Sequence, residues 1–395
     1  MKPEFAKRME RVTPSAIMEL LKMGGTGDFI SFASGLPDPA LFPSDLLRQV
    51  AERVLTADTA GALQYGPAEG YPPLRAWVAD CLSARGLRAK PENILLTSGS
   101  QQALDLVARA FLNEGDGVCI ESPTYLAALQ VCDSYGVIYR PVPQDEDGMD
   151  VSAAESALAS GCKLLFALPN FQNPTGRTLT LERRERLATA LAGTGTVLLE
   201  DDAYYDLRYE GDALPPIGSL MRDGIALYSG TFSKSIAPGL RVGYLCGPDE
   251  VIERLTQLKQ ITDLHTGSFS QRLIYGFVTE CDLNAQIDRL RTSYRTKRDV
   301  MLRTLKETMP TGVRWTHPAG GMFLWMTLPP ALDCAILLKA SMARGVIFVP
   351  GAGFHPDGRG ANTMRLNFVS ASPEKIATGV RLLADVIRLA MCEGS

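Results

Sequence analysis

The stretch Ser229–Ser235 reads SGTFSKS, and Arg241 follows its lysine by seven positions. It comes directly after the apolar run 225–228, a pattern typical of a β-strand that leads into a loop. Lys234 lies among small hydroxyl residues, with an arginine close by in sequence. This pattern is typical of a lysine whose amine must lose its proton beside a bound phosphate. Most lysines are solvated surface charges, so the interpretation depends on what the rest of the chain supplies.

Composition limits the classes of function open to the chain. Its 395 residues, 46% of them hydrophobic, can bury a large core, and we expect two domains. A formal charge of −4 without a long basic run argues against nucleic-acid and membrane partners and favours small molecules. The eight cysteines are scattered without a CxxC pair and the three histidines are far apart, so we expect reduced thiols, a cytoplasmic location and no metal site. The first eight residues are too polar for a signal peptide, and no apolar run approaches the roughly 20 residues that span a bilayer.

Short apolar runs alternate with amphipathic ones along most of the chain, which predicts an α/β fold. We predict a large domain in which helices flank a mostly parallel seven-stranded sheet. Its predicted strands are Asn93–Thr97, Gly117–Glu121, Val137–Pro141, Leu164–Leu168, Thr196–Glu200, Ile225–Tyr228 and Arg241–Cys246.

A long, partly exposed helix is predicted over Asp282–Met309, where apolar residues recur at helical spacing among many charges, and we expect it to join the two domains. Beyond it we predict a smaller α+β domain with a helix near Cys334–Arg344, strands at Val346–Val349 and Thr363–Val369, and a final helix from Pro373. The predicted divisions are an N-terminal segment packed on the small domain (1–44), a large cofactor-binding domain (45–290) and a small C-terminal domain (291–395).

Pyridoxal phosphate would require an amine, anion donors for its phosphate, an acid facing its pyridine nitrogen and a donor to its phenolate oxygen. The run Thr97–Gly99 passes from a predicted strand into a predicted helix near Ser100, where free backbone N–H groups and a hydroxyl favour an anion. An ordinary serine N-cap would give the same pattern. Arg241 adds a fixed charge of suitable geometry for phosphate, and hydroxyls flank Lys234 on both sides.

Candidates for the ring contacts lie in the segment VLLEDDAY, 197–204, where acids end an apolar strand. A carboxylate at a strand end is often only a helix cap, but Tyr204 follows Asp201 by three positions. Such a pair would approach opposite edges of the ring, with the acid at the nitrogen and the tyrosine at the phenolate. Asn173, in NFQNPTG (170–176), is a second candidate donor to that oxygen, although Asn-Pro-Thr-Gly also makes an ordinary turn.

Taken together, these segments resemble the fold-type I, class I/II aminotransferase family, in particular its branch of 2-aminoadipate, kynurenine and aromatic or branched-chain aminotransferases. The likeness extends from Ser34–Pro37 to Met364–Phe368. The resemblance implies that Lys234 forms the Schiff base with pyridoxal phosphate and that Asp201 pairs with the pyridinium. It further implies a phenolate held by Tyr204 and Asn173, a ring stacked on Tyr125, and a phosphate held by Ser100, Gln101, Thr231, Ser233 and Arg241.

The same resemblance implies residues that bind the substrate and one residue that comes from a second subunit. Tyr65, in QYGPAEG, matches the tyrosine that reaches the phosphate of the neighbouring subunit, which implies a homodimer with shared active sites. Arg365 matches the arginine that binds the substrate α-carboxylate, and Asn173 and Gly35 are implied beside the substrate. The implied reaction is a ping-pong exchange of an amino group between an L-amino acid and a 2-oxo acid, in which Lys234 also moves the proton.

Two alternatives from other classes stay open at this point. The same fold carries β-lyases, racemases and decarboxylases, and residues common to the cofactor site do not separate them. The aminotransferase-like part of certain bacterial transcription regulators follows a winged-helix domain, and Tyr65 lies so near the start of this sequence that we expect no room for one.

Side-chain specificity depends on the N-terminal segment. Relatives that act on 2-aminoadipate carry an arginine there, and residues 14–23 of this chain contain none. Apolar residues in the segment would favour an aliphatic, thioether or aromatic substrate; they are Ile17, Met18 and Leu21. The segment is equally well interpreted as an amphipathic helix packed on the small domain. Lys22 and Arg11 could still supply a charge, so acidic substrates are disfavoured rather than excluded.

Overall fold

The computed structural model describes residues 3–12 and 29–393. Its strands, in chain order, are β1 Ile30–Ser31, β2 Ile94–Thr97, β3 Gly117–Ser122, β4 Ile138–Asp145, β5 Gly148–Met149, β6 Cys162–Ala167, β7 Val197–Asp201, β8 Ile225–Thr231, β9 Gly243–Cys246, β10 Arg314–Trp315, β11 Phe323–Thr327, β12 Val346–Ile347, β13 Val349–Pro350 and β14 Thr363–Asn367.

The large sheet has eight strands in the order β2-β9-β8-β7-β6-β3-β4-β5. Strands β8, β7, β6, β3 and β4 are parallel to one another, whereas β9 is antiparallel to both neighbours and β5 forms a hairpin with β4. The α/β prediction is therefore confirmed, and all seven predicted strands are present. The eighth strand, β5, is only two residues long and gives no periodic signal.

The central strands are apolar because helices cover both faces of the sheet. Residues of β7 alternate between two buried clusters: Leu199 packs with Phe166 on one face, and Leu198 packs with Leu165 on the other. The predicted strand boundaries differ from the observed ones by up to four residues; β4, for example, continues to Asp145 where the prediction ended at Pro141. The strand predicted from Arg241 begins at Gly243, because Arg241 has left-handed backbone with φ of 53°.

The helices are α1 Ser44–Ala57, α2 Thr59–Leu63, α3 Pro72–Ala84, α4 Ser100–Phe111, α5 Leu126–Tyr135, α6 Val151–Ala159, α7 Leu181–Leu191, α8 Ile217–Leu220, α9 Asp249–Asp263, α10 Ser268–Glu280, α11 Leu283–Thr308, α12 Cys334–Ala343 and α13 Pro373–Glu393. The 26-residue α11 begins after Asp282, whose side chain accepts from the Ala285 N–H, and it matches the long helix predicted there. Within the described residues, no helix combines the length and the apolar character needed to cross a membrane.

A second, antiparallel sheet follows α11 in the order β10-β11-β14-β13. Strand β1 pairs in parallel with β12, with Ile30 opposite Val346, so residues near the start of the chain pack with its C-terminal part. A shared core that includes Phe32, Phe348 and Phe368 lies beneath them. The predicted strand Val346–Val349 is divided into β12 and β13 by Phe348. This packing brings β11 and β14 to the carboxyl ends of the parallel strands.

Candidate active site

A cavity of about 510 Å³ lies at the carboxyl ends of the parallel strands, where β11 and β14 face the large sheet. Ligands in open α/β sheets commonly bind at this edge. Every predicted site residue except Tyr65 lines it, namely Gly35, Ser100, Gln101, Tyr125, Asn173, Asp201, Tyr204, Thr231, Ser233, Lys234, Arg241 and Arg365. Residues 330 positions apart in sequence thus share one cavity, as Gly35 and Arg365 do.

Lys234 lies in the loop after β8 and extends into the cavity. Its Nζ donates a hydrogen bond to the carbonyl oxygen of Gly35 at 3.0 Å. Burial, together with the positive charges of Arg365 and Arg241, lowers the pKa of the Lys234 ammonium to about 8. About a tenth of such amines are unprotonated at pH 7, far more than for an ordinary lysine. The side chain is thus prepared to act as a nucleophile.

Asp201 ends β7 and lies opposite Ser229 of β8. Its Oδ1 atom is buried and has no hydrogen-bond partner among the described residues. Burial and the neighbouring Asp202 raise the pKa of Asp201 to about 7. A buried carboxylate oxygen without a donor is costly, and the protonated pyridine nitrogen of pyridoxal phosphate would supply one. The residues present therefore fit this cofactor.

Anion donors gather at the N-terminus of α4. Gly99 occupies the N-cap with φ of 82°, so Ser100 lies within the first turn and is not the capping residue. The serine N-cap interpretation is therefore wrong, and the first N–H groups of α4 have no side-chain cap. A Cβ atom at residue 99 would lie 2.2 Å from Nη2 of Arg241, which donates to the Ser98 carbonyl oxygen at 3.1 Å. This close approach requires glycine.

Hydroxyl groups from the end of β8 and from the loop after it complete this end of the cavity. The Thr231 Oγ1–H donates to Ser233 Oγ at 2.9 Å, and the backbone N–H of Ser233 donates back to Thr231 Oγ1 at 3.1 Å. The two hydroxyls therefore hold each other in place beside Lys234. Together with α4 and Arg241 they form a cradle of N–H, O–H and guanidinium donors that suits a phosphate.

Arg365 lies at the opposite end of the cavity, on β14, and is 2% exposed. Its Nη1 donates to Asn173 Oδ1 at 3.0 Å and its Nη2 donates to the Ala33 carbonyl oxygen at 2.8 Å, while its Nε has no partner among the described residues. The Phe323 ring lies 4.3 Å from the guanidinium carbon. Burial lowers the pKa of Arg365 to about 10, so it stays charged at neutral pH. A buried cation with uncharged partners and a free N–H is well suited to bind a carboxylate.

Two tyrosines line the middle of the cavity. Tyr204 packs edge-on against Phe323, with ring centroids 6.0 Å apart, and burial raises its pKa above the usual value. Tyr125 precedes α5, and burial likewise raises its pKa. Both phenols therefore keep their protons at neutral pH and can donate hydrogen bonds.

Some residues that were predicted to belong to the site do not line the cavity. Tyr65 is 77% exposed and packs edge-on against His265, so it does not reach the cavity of its own chain. Arg11 forms an ion pair with Glu114 and does not line the cavity, so the expectation that it could supply a charge there is wrong. The predicted pocket residues of the N-terminal segment lie outside the described residues; they are Ile17, Met18, Leu21 and Lys22.

Sequence reasoning missed part of the cavity wall. Leu126 and Gln130 line it from α5, four positions apart and therefore on one face of the helix. The sequence did contain a signal for these two residues, because Tyr125, a predicted site residue, lies directly before α5. Phe323 both belongs to the core beneath β11 and lines the cavity below Arg365. Its dual position depends on the packing of the two sheets and has no local sequence signature.

A buried lysine, a carboxylate oxygen without a donor and a cradle of anion donors in one cavity define the class of protein: an α/β enzyme that binds pyridoxal phosphate. The chain belongs to the class I and II aminotransferase family, whose model matches residues 28–383. The protein is an aminotransferase, and pyridoxal phosphate is its cofactor.

Individual relatives act on several kinds of substrate. The chain is 40% identical to aromatic-amino-acid aminotransferase 1 of Thermococcus litoralis, over 97% of this chain and 94% of that protein. It is similar to the structure of Pyrococcus horikoshii kynurenine aminotransferase in complex with PMP (TM-score 0.94, 39% identity, 98% and 97% of the two chains). It is also similar to the structure of the α-aminoadipate aminotransferase of Thermus thermophilus, complexed with N-(5'-phosphopyridoxyl)-L-leucine (TM-score 0.92, 40% identity, 98% of both chains).

Proposed function

We propose that this aminotransferase moves the amino group of an L-amino acid with an apolar or aromatic side chain to a 2-oxo acid, by a ping-pong mechanism that depends on Lys234. The observation that carries the proposal is the convergence of Lys234, Asp201 and Arg365 in one cavity. When bound, pyridoxal phosphate supplies an electron sink for the carbon atom that bears the amino group. The protein supplies binding, orientation and proton transfer.

The two ends of the cavity fix the cofactor and the substrate separately. We assign the phosphate to the cradle at the N-terminus of α4, whose residues are Ser100, Gln101, Thr231, Ser233 and Arg241. Asp201 would accept a hydrogen bond from the protonated ring nitrogen through its unpartnered Oδ1, Tyr204 and Asn173 would donate to the phenolate oxygen, and Tyr125 would lie against the ring. Arg365 binds the α-carboxylate with its free N–H, beside Asn173 and Gly35.

Lys234 acts as both attachment point and general base. When it is not attached to the cofactor, the Lys234 Nζ would take the proton from the substrate α-carbon and return a proton during turnover. A pKa near 8 suits both steps, because the group can accept and release a proton near neutral pH. The Gly35 carbonyl oxygen, which accepts from Nζ at 3.0 Å, orients the free amine.

The substrate preference follows from the charges that line the described part of the cavity. Its three cations are Lys234, Arg241 and Arg365, and each already has a role. Among these residues no further cation is available for a distal carboxylate. Leu36, Leu126 and Phe323 present apolar surface instead, which favours an apolar or aromatic side chain. The Thermus thermophilus relative is named for α-aminoadipate, an acidic substrate, and its structure is complexed with N-(5'-phosphopyridoxyl)-L-leucine, so that relative also holds an apolar side chain.

A donor panel tests the proposal. Purified holoenzyme is assayed with L-phenylalanine, L-leucine, L-methionine and L-2-aminoadipate against a common 2-oxo acid acceptor. We expect kcat/KM to be at least about tenfold higher for the apolar donors, because an unpaired carboxylate in an apolar pocket is costly. A preference for L-2-aminoadipate of the same size would contradict the proposed substrate class.

We further propose that the enzyme is a cytoplasmic homodimer with shared active sites. All eight cysteines are free, as expected in a reducing compartment. Near the cavity's phosphate end the chain exposes large apolar side chains on neighbouring segments, which are Leu63, Tyr65, Ile261 and Leu264. Such a surface favours burial against another subunit. In this arrangement Tyr65 contributes to the phosphate cradle of the partner.

A further inference from the structure

Asp202 follows Asp201 at the end of β7 and does not line the cavity, yet it is only 4% exposed. Its backbone N–H donates to the Ser229 carbonyl oxygen at 2.9 Å, which continues the pairing of β7 with β8. Asn170 Nδ2 donates to both carboxylate oxygens, at 3.0 and 2.9 Å, and the Tyr228 hydroxyl donates to Oδ2 at 2.9 Å. A side chain outside the cavity is therefore held by several specific bonds.

The arginines around Asp202 do not bond to its carboxylate; they bond to neutral side chains that in turn bond to Asp202. Nη2 of Arg184 and Nη2 of Arg208 donate to Asn170 Oδ1, at 2.7 and 3.2 Å. Nη1 of Arg85 donates to the Tyr228 hydroxyl at 3.1 Å. The amide and the phenol thus stand between the arginines and the carboxylate. Burial raises the pKa of Asp202, and the charges of Arg85 and Arg184 oppose that rise and favour its ionised form without contacting the carboxylate directly.

The backbone of the loop after β6 makes this arrangement possible. Phe171 adopts left-handed backbone with φ of 50°, a conformation that costs free energy for a bulky side chain. It separates Asn170, which bonds to Asp202, from Asn173, which bonds to Arg365. Gly320 and Gly321 pack so closely on Phe171 that a Cβ atom at either would lie 2.5 Å or less from a neighbouring atom. The strained residue is therefore held by its surroundings.

Two buried carboxylates at successive positions influence each other's proton affinity. After burial, the charge of Asp202 is the main cause that raises the pKa of Asp201, and Lys234 opposes it. Tyr125 and Tyr204 also face Asp201. The charged and titratable groups that face Asp202 are Arg85, Arg184, Arg208, Glu200, Asp201, Tyr205, Tyr228 and Tyr244.

We infer that Asp202 is a positioning residue for cofactor protonation: it holds a second negative charge behind Asp201, and through Asp201 it keeps the proton on the cofactor's pyridine nitrogen. The inference rests on the proposed role of Asp201. Burial alone would raise the pKa of Asp201, but it would do so by favouring the neutral form of the carboxyl group. A second, fixed anion raises the proton affinity of the whole Asp201 and pyridine pair, and the cationic ring withdraws electrons better than the neutral one.

The test measures the protonation state of the cofactor itself. Holoenzymes are prepared with pyridoxal phosphate labelled with ¹⁵N in the ring, and the nitrogen chemical shift is followed from pH 6 to pH 10. Asp202→Asn should lose the ring proton about one pH unit lower than the wild type, because a neighbouring negative charge is gone. Arg85→Gln should shift the profile in the opposite direction, because it removes a cation that faces Asp202. A purely structural disturbance would not produce opposite signs.

Control variants separate charge from folding. Arg88→Gln makes the same chemical change at an exposed arginine three positions from Arg85 and should leave the profile unchanged. Tyr228→Phe removes one hydrogen bond but keeps the charge of Asp202, so the ring proton should be retained as in the wild type. If Asp202→Asn does not fold, as judged by its thermal unfolding, the shift to higher pH expected for Arg85→Gln, against no shift for Arg88→Gln, still decides the matter.

The outcomes distinguish this inference from the proposed function. An Asp202→Asn profile equal to that of the wild type, or an Arg85→Gln profile that moves to lower pH, would overturn the inference alone. Asp201→Asn must abolish the protonated ring nitrogen if Asp201 has its proposed role. If Asp201→Asn keeps the wild-type profile, the proposed role of Asp201 itself fails.

Discussion

At the scale of single residues, the chemistry depends on how burial changes ordinary side chains. Lys234 and Arg365 are cations in one cavity, and the charge of Arg365 makes the ionised state of the lysine less favourable. Both residues were predictable, because each stands in a short motif with a physical reason. Asp202 was not, because its network joins residues far apart in sequence: Arg85 bonds to a tyrosine 143 positions away. Only the folded chain brings such partners together.

The lowered pKa of Lys234 predicts the pH dependence of cofactor attachment. Below its pKa the amine is protonated and cannot attack, so the rate of pyridoxal phosphate incorporation into the apoprotein should rise about tenfold per pH unit and level off near pH 8. The growth of visible absorbance measures this rate. A rate that still rises steeply to pH 10, as for an ordinary lysine, would contradict the assigned environment.

Replacement of Arg365 should weaken amino acids and 2-oxo acids together, because both present the same carboxylate. Arg365→Met keeps an apolar stem against the Phe323 ring and should lower kcat/KM about 100-fold for both substrates. The same variant should also raise the pH at which the rate of cofactor attachment levels off, because it loses one of the charges that lower the pKa of Lys234. Arg359→Met, at an exposed arginine, is the matched control. A loss confined to one substrate would argue against carboxylate binding.

At the scale of elements, helix and strand order was well predicted, and the errors that bear on the cavity fall where backbone geometry departs from the regular. Arg241 was placed in a strand but adopts left-handed backbone, and Ser100 was weighed as an N-cap that Gly99 in fact provides. Hydrophobic periodicity does not report such single-residue conformations. Both departures lie at the phosphate cradle, where irregular backbone aims donors at a ligand.

Gly99→Ala tests the cradle as an element. Its positive φ and the 2.2 Å approach to Arg241 should displace the arginine and reduce the affinity for pyridoxal phosphate roughly tenfold or more. Pyridoxal, which lacks the phosphate, should lose little affinity. Gly239→Ala is the matched control, because a Cβ atom there meets nothing within 4 Å and the residue lies two positions from Arg241. Equal losses for the two ligands would remove the cradle from phosphate binding.

At the scale of the whole molecule, the domain division predicted from the sequence stays a prediction, with a large domain at 45–290 and a small one at 291–395. Its boundary at 290 falls within the long helix α11 that lies between the two sheets in the chain. The pairing of Ile30 with Val346 favours the assignment of the N-terminal segment, 1–44, to the small domain. The cavity lies where these parts meet. Sequence patterns predicted the elements, whereas the contact between Phe323 and Arg365 depends on how the sheets pack.

Shared active sites predict complementation between two defective chains. Tyr65→Ala lacks the contribution to the partner's cradle, and Lys234→Ala lacks the attachment point. When the two are unfolded and refolded together, mixed dimers should contain one intact site, and activity should recover to about a quarter of the wild-type value. Light scattering on the same sample should report a dimer. No gain over the separately refolded variants would contradict the sharing of sites.

The central claim is that Lys234 transfers an amino group through the bound cofactor, and a single half-reaction measures it most directly. Wild-type holoenzyme is mixed with L-phenylalanine and no acceptor, while the visible absorbance of the cofactor, 2-oxo acid, ammonia and carbon dioxide are followed. We predict loss of the visible band with one 2-oxo acid formed per site, no ammonia or carbon dioxide, and no reaction in Lys234→Arg. Release of ammonia or carbon dioxide in place of the 2-oxo acid, or an unimpaired Lys234→Arg, would contradict the account.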